Sequence, residues 1–83
     1  MNVMSSAEKQ IIAKVRMVVA SSRAFGVLST GERIAVAMVL DRPDLIKDSW
    51  GTMLEAVDRL GREWTEAALR VQRNGWEEVD PSA

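Results

Sequence analysis

The sequence predicts an all-α fold, a small bundle of three to four helices built around a buried, apolar second helix. Three observations predict it. The pattern Ser/Thr-x-x-Glu occurs at Ser5–Glu8, Ser29–Glu32 and Thr52–Glu55, and it is the reciprocal capping box that opens helices. Apolar residues recur every three or four positions after each box, the period of one helix face. The run Ile34-Ala35-Val36-Ala37-Met38-Val39-Leu40 is apolar on every side, which suits a helix surrounded by others.

The elements follow in order. In the first helix Ile11, Val15, Val18, Ser22 and Phe25 make a stripe that Ile12 and Val19 widen, with Gly26 as its terminator. The second helix starts from Ser29. Its seven apolar residues also fit a buried strand, but the alanines, the methionine and the capping box favour helix. Pro43 disfavours helical backbone at Arg42 and ends it. Leu45 and Ile46 fall in a short helical turn or an ordered loop. A third helix starts near Ser49 or Thr52, with Met53, Leu54, Val57 and Leu60 on one face. Gly61 either ends or bends it, so 49–73 is one bent helix or two. Trp64, Ala67, Ala68 and Val71 carry the apolar face on until Asn74-Gly75. Glu55–Arg59, Asp58–Arg62 and Glu66–Arg70 stand four apart with the acid first, the favourable order for helix surface pairs.

A chain of 83 residues makes one domain. Its ordered core is predicted over about 5–76, followed by a flexible acidic tail over 77–83. Met17 and Met53 are expected to fill the core, and Trp64 to belong to it.

Composition narrows the chemistry. The sequence has no Cys, His or Tyr, which removes the commonest nucleophiles, bases and zinc ligands. No enzymatic activity and no cofactor are expected. Asp41, Asp44 and Asp48 could offer oxygen ligands to Mg²⁺ or Ca²⁺, but their spacing lacks the glycine and terminal glutamate of an EF-hand, and turn and cap roles explain them better. The net charge of −1 does not suit a dedicated nucleic-acid binder. A helix-turn-helix over 30–41 and 52–60 would present Thr52, Glu55, Asp58 and Arg59 to the groove, a poor set for base reading, so direct nucleic-acid binding is not expected. There is no membrane-length apolar run and no signal-peptide pattern at the start, and the cytoplasm is the expected compartment.

Binding a larger protein or complex is the function left standing. Residues 5–25 carry Lys9, Lys14, Arg16 and Arg23 against Glu8 alone, a local balance of +3, while Glu77, Glu78 and Asp80 make the tail acidic. Trp50 and Trp76 stand at junctions outside the helical stripes. Tryptophan is enriched at binding hot spots, although junction aromatics also serve as lids over small cores. The candidate partner-binding residues are therefore Trp50, Trp76, Lys14, Arg16 and Arg23.

Lys14-Val15, Val19-Ala20-Ser21-Ser22, Ala24-Phe25, Ile34-Ala35, Val39 and Arg42-Pro43-Asp44-Leu45 recur in similar order, with a shift of one or two positions before the proline, in one family. Through them residues 14–45 resemble the theta subunit of bacterial DNA polymerase III and its phage homologue. That resemblance implies a helical accessory subunit without catalysis, which stabilises a proofreading exonuclease. Trp50, Trp64 and the acidic tail have no counterpart in it. Size and composition also suit a phage or mobile-element inhibitor of a host complex, such as an anti-CRISPR protein. A third reading is a structural homodimer whose second helices complete a shared core.

Overall fold

A computed structural model describes residues 4–46 and 52–76. They form four α-helices and two 3-10 turns: α1 Ser6–Ala20, a turn Ser22–Val27, α2 Thr30–Val39, a turn Pro43–Leu45, α3 Met53–Leu60 and α4 Arg62–Asn74. No strand occurs among the described residues, and 34–40 is helical. The all-α bundle is as the sequence predicts. Trp50, Asp48, the 77–83 tail and the side chain of Met53 lie outside the described residues.

Local chemistry starts each helix. Ser5 is extended, its hydroxyl accepts from the Glu8 N–H at 3.1 Å, and the Glu8 carboxylate accepts from the Ser5 N–H at 3.3 Å. Ser29 and Glu32 repeat the arrangement at 3.3 and 2.9 Å. At α3 the cap is one-sided, with the Thr52 hydroxyl accepting from the Glu55 N–H at 3.1 Å.

The core is a contiguous cluster. Ile11, Ile12 and Val15 come from α1, Ile34, Val36 and Val39 from α2, Ala56 and Leu60 from α3, and Ala67, Ala68 and Val71 from α4, with Leu28 and Ile46 closing it. Five of the ten α2 residues are buried, and α1, α3 and α4 all pack on this helix. Buried alanines at 35, 37, 56, 67 and 68 let helix backbones approach closely. A single chain thus covers most of the apolar α2.

Several expectations need correction. α1 stops at Ala20, not at Phe25. Ser21 is extended (φ −152°, ψ 115°) and the chain rewinds as a 3-10 turn. The stripe at 22 and 25 continues in sequence because a turn with a three-residue period keeps nearly the same spacing. Met17 (41 % exposed) and Val19 (55 %) consequently lie at the surface, as does Leu54 (83 %). Trp64 is half-buried against the core. The 49–73 stretch breaks at Gly61, whose φ of 88° ends α3 and suits a residue without Cβ.

The ion pairs also differ. Arg70 leaves Glu66 and crosses to Glu8 on α1, at 2.8 Å. Glu66 receives Arg62 at 3.2 Å, and Arg62 is thereby taken from the expected pair with Asp58.

Candidate interaction surface

The end of α2 builds one wall of a surface groove. The Arg42 N–H reaches the Ala37 carbonyl at 2.8 Å and the Asp41 N–H reaches that of Met38 at 3.1 Å. This bond pair is the Schellman motif, with Asp41 in the left-handed position at φ 53°. Gln72 of α4 donates to the Met38 carbonyl at 3.0 Å, so a side chain from another helix satisfies one of α2's terminal acceptors. Pro43 then starts the Pro43–Leu45 turn, which sets Leu45 beside Leu40.

The end of α1 and the Ser22–Val27 turn build the other wall. None of the six turn residues is fully buried, although Phe25 packs against the core. Arg33 of α2 adds a second hold. Its guanidinium donates to the Gly26 carbonyl at 2.7 Å and lies 6.0 Å from the centroid of the Phe25 ring, within cation–π range. Nothing in the periodicity pointed to this clasp, because Arg33 reads as one more charge after a capping box.

Between the walls lies a groove of about 430 Å³, lined by Val18, Val19, Phe25, Leu40 and Leu45, with Ser22 and Arg42 at its edge. The Arg42 guanidinium makes two bonds to the Asp44 carboxylate, at 2.9 and 3.0 Å. Met17 and the 80 %-exposed Val27 are also at the surface, Met17 on the side of α1 nearly opposite Val19. A second concavity, of about 400 Å³ at the Gly61 bend, is lined mainly by polar residues, among them the paired Arg62 and Glu66.

The predicted binding residues are dispersed around α1. Lys14 lies 3.7 Å from a Glu32 oxygen. The Arg16 Nε–H donates to the Trp76 carbonyl at 3.0 Å. Arg23 is exposed on the Ser22–Val27 turn. Trp76 is half-buried and packs against the core, as a lid would, while Trp50 lies outside the described residues. The sequence places Val18, Val19, Phe25 and Leu40 in helix stripes and Leu45 in a short turn or loop; Val18, Phe25, Leu40 and Leu45 do pack against the core from its edge.

Two carboxylates have shifted affinities for protons. Burial pushes the Glu8 carboxyl up, but bonds from Arg70, the Ser5 N–H and the Ser5 hydroxyl, with the Arg70 charge, outweigh it and hold it below its ordinary value. The Ser29 N–H holds Glu32 below its ordinary value against the opposing effect of burial, helped by the Ser29 hydroxyl and Lys14. Both glutamates are occupied with capping and pairing, the roles of structural carboxylates. Among the described residues no three acidic groups gather as a metal cluster would require, and no helix there is long and apolar enough to cross a membrane.

No protein-family model, curated protein or solved structure matches this chain.

Proposed function

We propose that this protein is a non-enzymatic helical interaction module that binds a larger protein partner. The observation that carries the reading is the apolar groove at the end of α1, lined by Val18, Val19, Phe25, Leu40 and Leu45, with Val19 largely exposed. A domain this small gains from burying every apolar side chain it can, and contiguous exposed apolar surface marks interaction sites. The residue content supports the same reading, since the chain lacks Cys, His and Tyr.

The finer reading is an accessory subunit similar to theta, stabilising a proofreading exonuclease. Val19, Ser22, Phe25, Arg42 and Leu45 belong both to the resemblance and to the groove, while Val15, Ile34, Ala35 and Val39 of the resemblance lie in the core.

Affinity capture from a bacterial lysate, with mass spectrometry, tests both levels. The wild-type chain is expected to retain a proofreading exonuclease, and Val19→Asp to lose it while melting normally. Retention of a CRISPR surveillance complex would replace the finer reading with that of a phage or mobile-element inhibitor. Equal capture by wild type and Val19→Asp would overturn the assignment of this surface.

A further inference from the structure

We propose that the Asn74-Gly75 pair is a site of spontaneous deamidation, held in check by the way α4 ends and is fastened to α1, and that conversion there releases Trp76 from Arg16. This stands apart from the partner-binding reading. The chain has two asparagines. Asn2 precedes Val3, whose branched side chain crowds its own backbone nitrogen. Asn74 precedes a glycine, which leaves that nitrogen open to approach. Asn74 is exposed as the last residue of α4, and Gly75 takes the positive φ of 86° at which the helix stops. The residue that ends the helix is thus also the one that makes its neighbour labile.

In the first step the deprotonated backbone nitrogen of Gly75 attacks Cγ of the Asn74 carboxamide. A C–N bond forms and closes a cyclic succinimide, while the Cγ–Nδ2 bond breaks and ammonia leaves. Water then opens the ring. Attack at Cγ gives an aspartyl residue, and attack at the main-chain carbonyl gives an isoaspartyl residue with the chain routed through the side chain. Water enters, ammonia leaves, and nothing is oxidised or reduced. The fold opposes the first step. The Gly75 N–H donates to the Val71 carbonyl at 2.9 Å, so the nucleophile keeps its proton and Asn74 its helical backbone. Trp76 packs against the core and its carbonyl accepts from Arg16 at 3.0 Å, which holds the chain on the other side of the pair. Attack therefore requires the last turn of α4 to open. Helix ends open at low free energy, and the Arg16 bond sets how often. The product carboxylate stands at a helix C-terminus, where negative charge is unfavourable. The isoaspartyl form also adds a main-chain carbon, which shifts the Trp76 carbonyl away from Arg16.

The full chain, kept in warm, mildly alkaline buffer with and without concentrated urea, tests the proposal by peptide mapping and isoaspartyl methyltransferase labelling. In urea, position 74 should convert while Asn2 does not measurably change. The folded protein should convert at least about tenfold more slowly, the protection that a closed last turn gives. Arg16→Ala should raise the folded rate severalfold and leave the rate in urea unchanged. Thr52→Ala, which removes the α3 cap far from the pair in sequence, should leave both rates near wild type. Asn74→Gln should abolish labelling at this position.

No conversion at position 74 in urea would overturn the assignment of the site. Equal rates with and without urea would overturn its protection by the fold. An Arg16→Ala rate equal to wild type, or matched by Thr52→Ala, would show that the fastening of α4 to α1 does not set the rate. The deamidated protein, separated from its parent by the added negative charge, should melt at a lower temperature and lose the wild-type Arg16 Nε–H NMR signal. Unchanged melting with an unchanged signal would overturn the release of Trp76.

Discussion

Oε1 of Glu8 accepts two hydrogen bonds, one from the Ser5 backbone N–H at 3.3 Å and one from Arg70 Nε at 2.8 Å. The carboxylate that starts α1 is thus the same group that fastens α4 to it. Residue 8 is almost wholly buried while the Arg70 side chain remains half exposed, so the two partners are not equivalent.

Removing the buried member should cost more than removing the exposed one. Glu8→Ala is expected to destabilise the protein by about 1.5–3 kcal/mol, since it deletes half of a capping box and leaves Arg70 without this acceptor. Arg70→Ala should cost less. Urea denaturation of both variants and the double variant would give a coupling of about 0.5 kcal/mol or more. Additive effects would show that the contact contributes geometry alone.

The same carboxylate makes stability depend on pH. Glu8 and Glu32 both lie below the ordinary value of 4.5 when folded. A depressed folded pKa contributes stability that is complete above the unfolded value and is lost as pH falls through the folded one. The melting temperature should therefore hold from neutral pH to about 4.5 and decline below it. The double variant Glu8→Gln, Glu32→Gln should start lower at neutral pH and approach the wild type in acid. Parallel curves for the two proteins would exclude these groups as the source.

Backbone conformation gives a third test. At Gly61 an added Cβ would meet nothing within 4 Å, yet φ is 88°. Gly61→Ala should destabilise by about 1–2 kcal/mol through backbone strain alone. Asp41, at φ 53°, should tolerate glycine with little or no loss and suffer from valine by about 1–2 kcal/mol, because a β-branched residue resists that region. Thermal melts that rank Asp41→Val equal to Asp41→Gly would contradict the Schellman ending of α2.

The core should respond sharply to position. Ile34 is fully buried and Leu54 is 83 % exposed. Ile34→Ala should cost about 2–5 kcal/mol, and Leu54→Ala within about 0.5 kcal/mol of nothing. A large loss at Leu54 would show that its surface is covered in solution.

What could be read in the sequence was what neighbouring residues decide. The boxes at Ser5 and Ser29 are legible because both partners lie three positions apart. The burial of α2 was legible because Ile34 to Leu40 has no polar side to expose. The end of α1 was not, because Val18, Val19 and Phe25 keep helical spacing across the extended Ser21. Arg70 read as a partner of nearby Glu66, and only folding brings Glu8 closer in space from 62 residues away. The groove was invisible for the same reason: its walls come from residues some twenty positions apart, and their side chains look like any other core.

The two bonds that tie α1 to the far end of the chain, Glu8 to Arg70 and Arg16 to the Trp76 carbonyl, span 62 and 60 positions. A ribosome that releases this protein from its first residue therefore exposes the apolar stripe of α1 long before α4 emerges to cover it. The contacts of α1 with Arg70 and Trp76 wait until those residues have left the exit tunnel. During that interval α2, which precedes α4 in the chain, is, among the described residues, the one other α-helix already packed on α1.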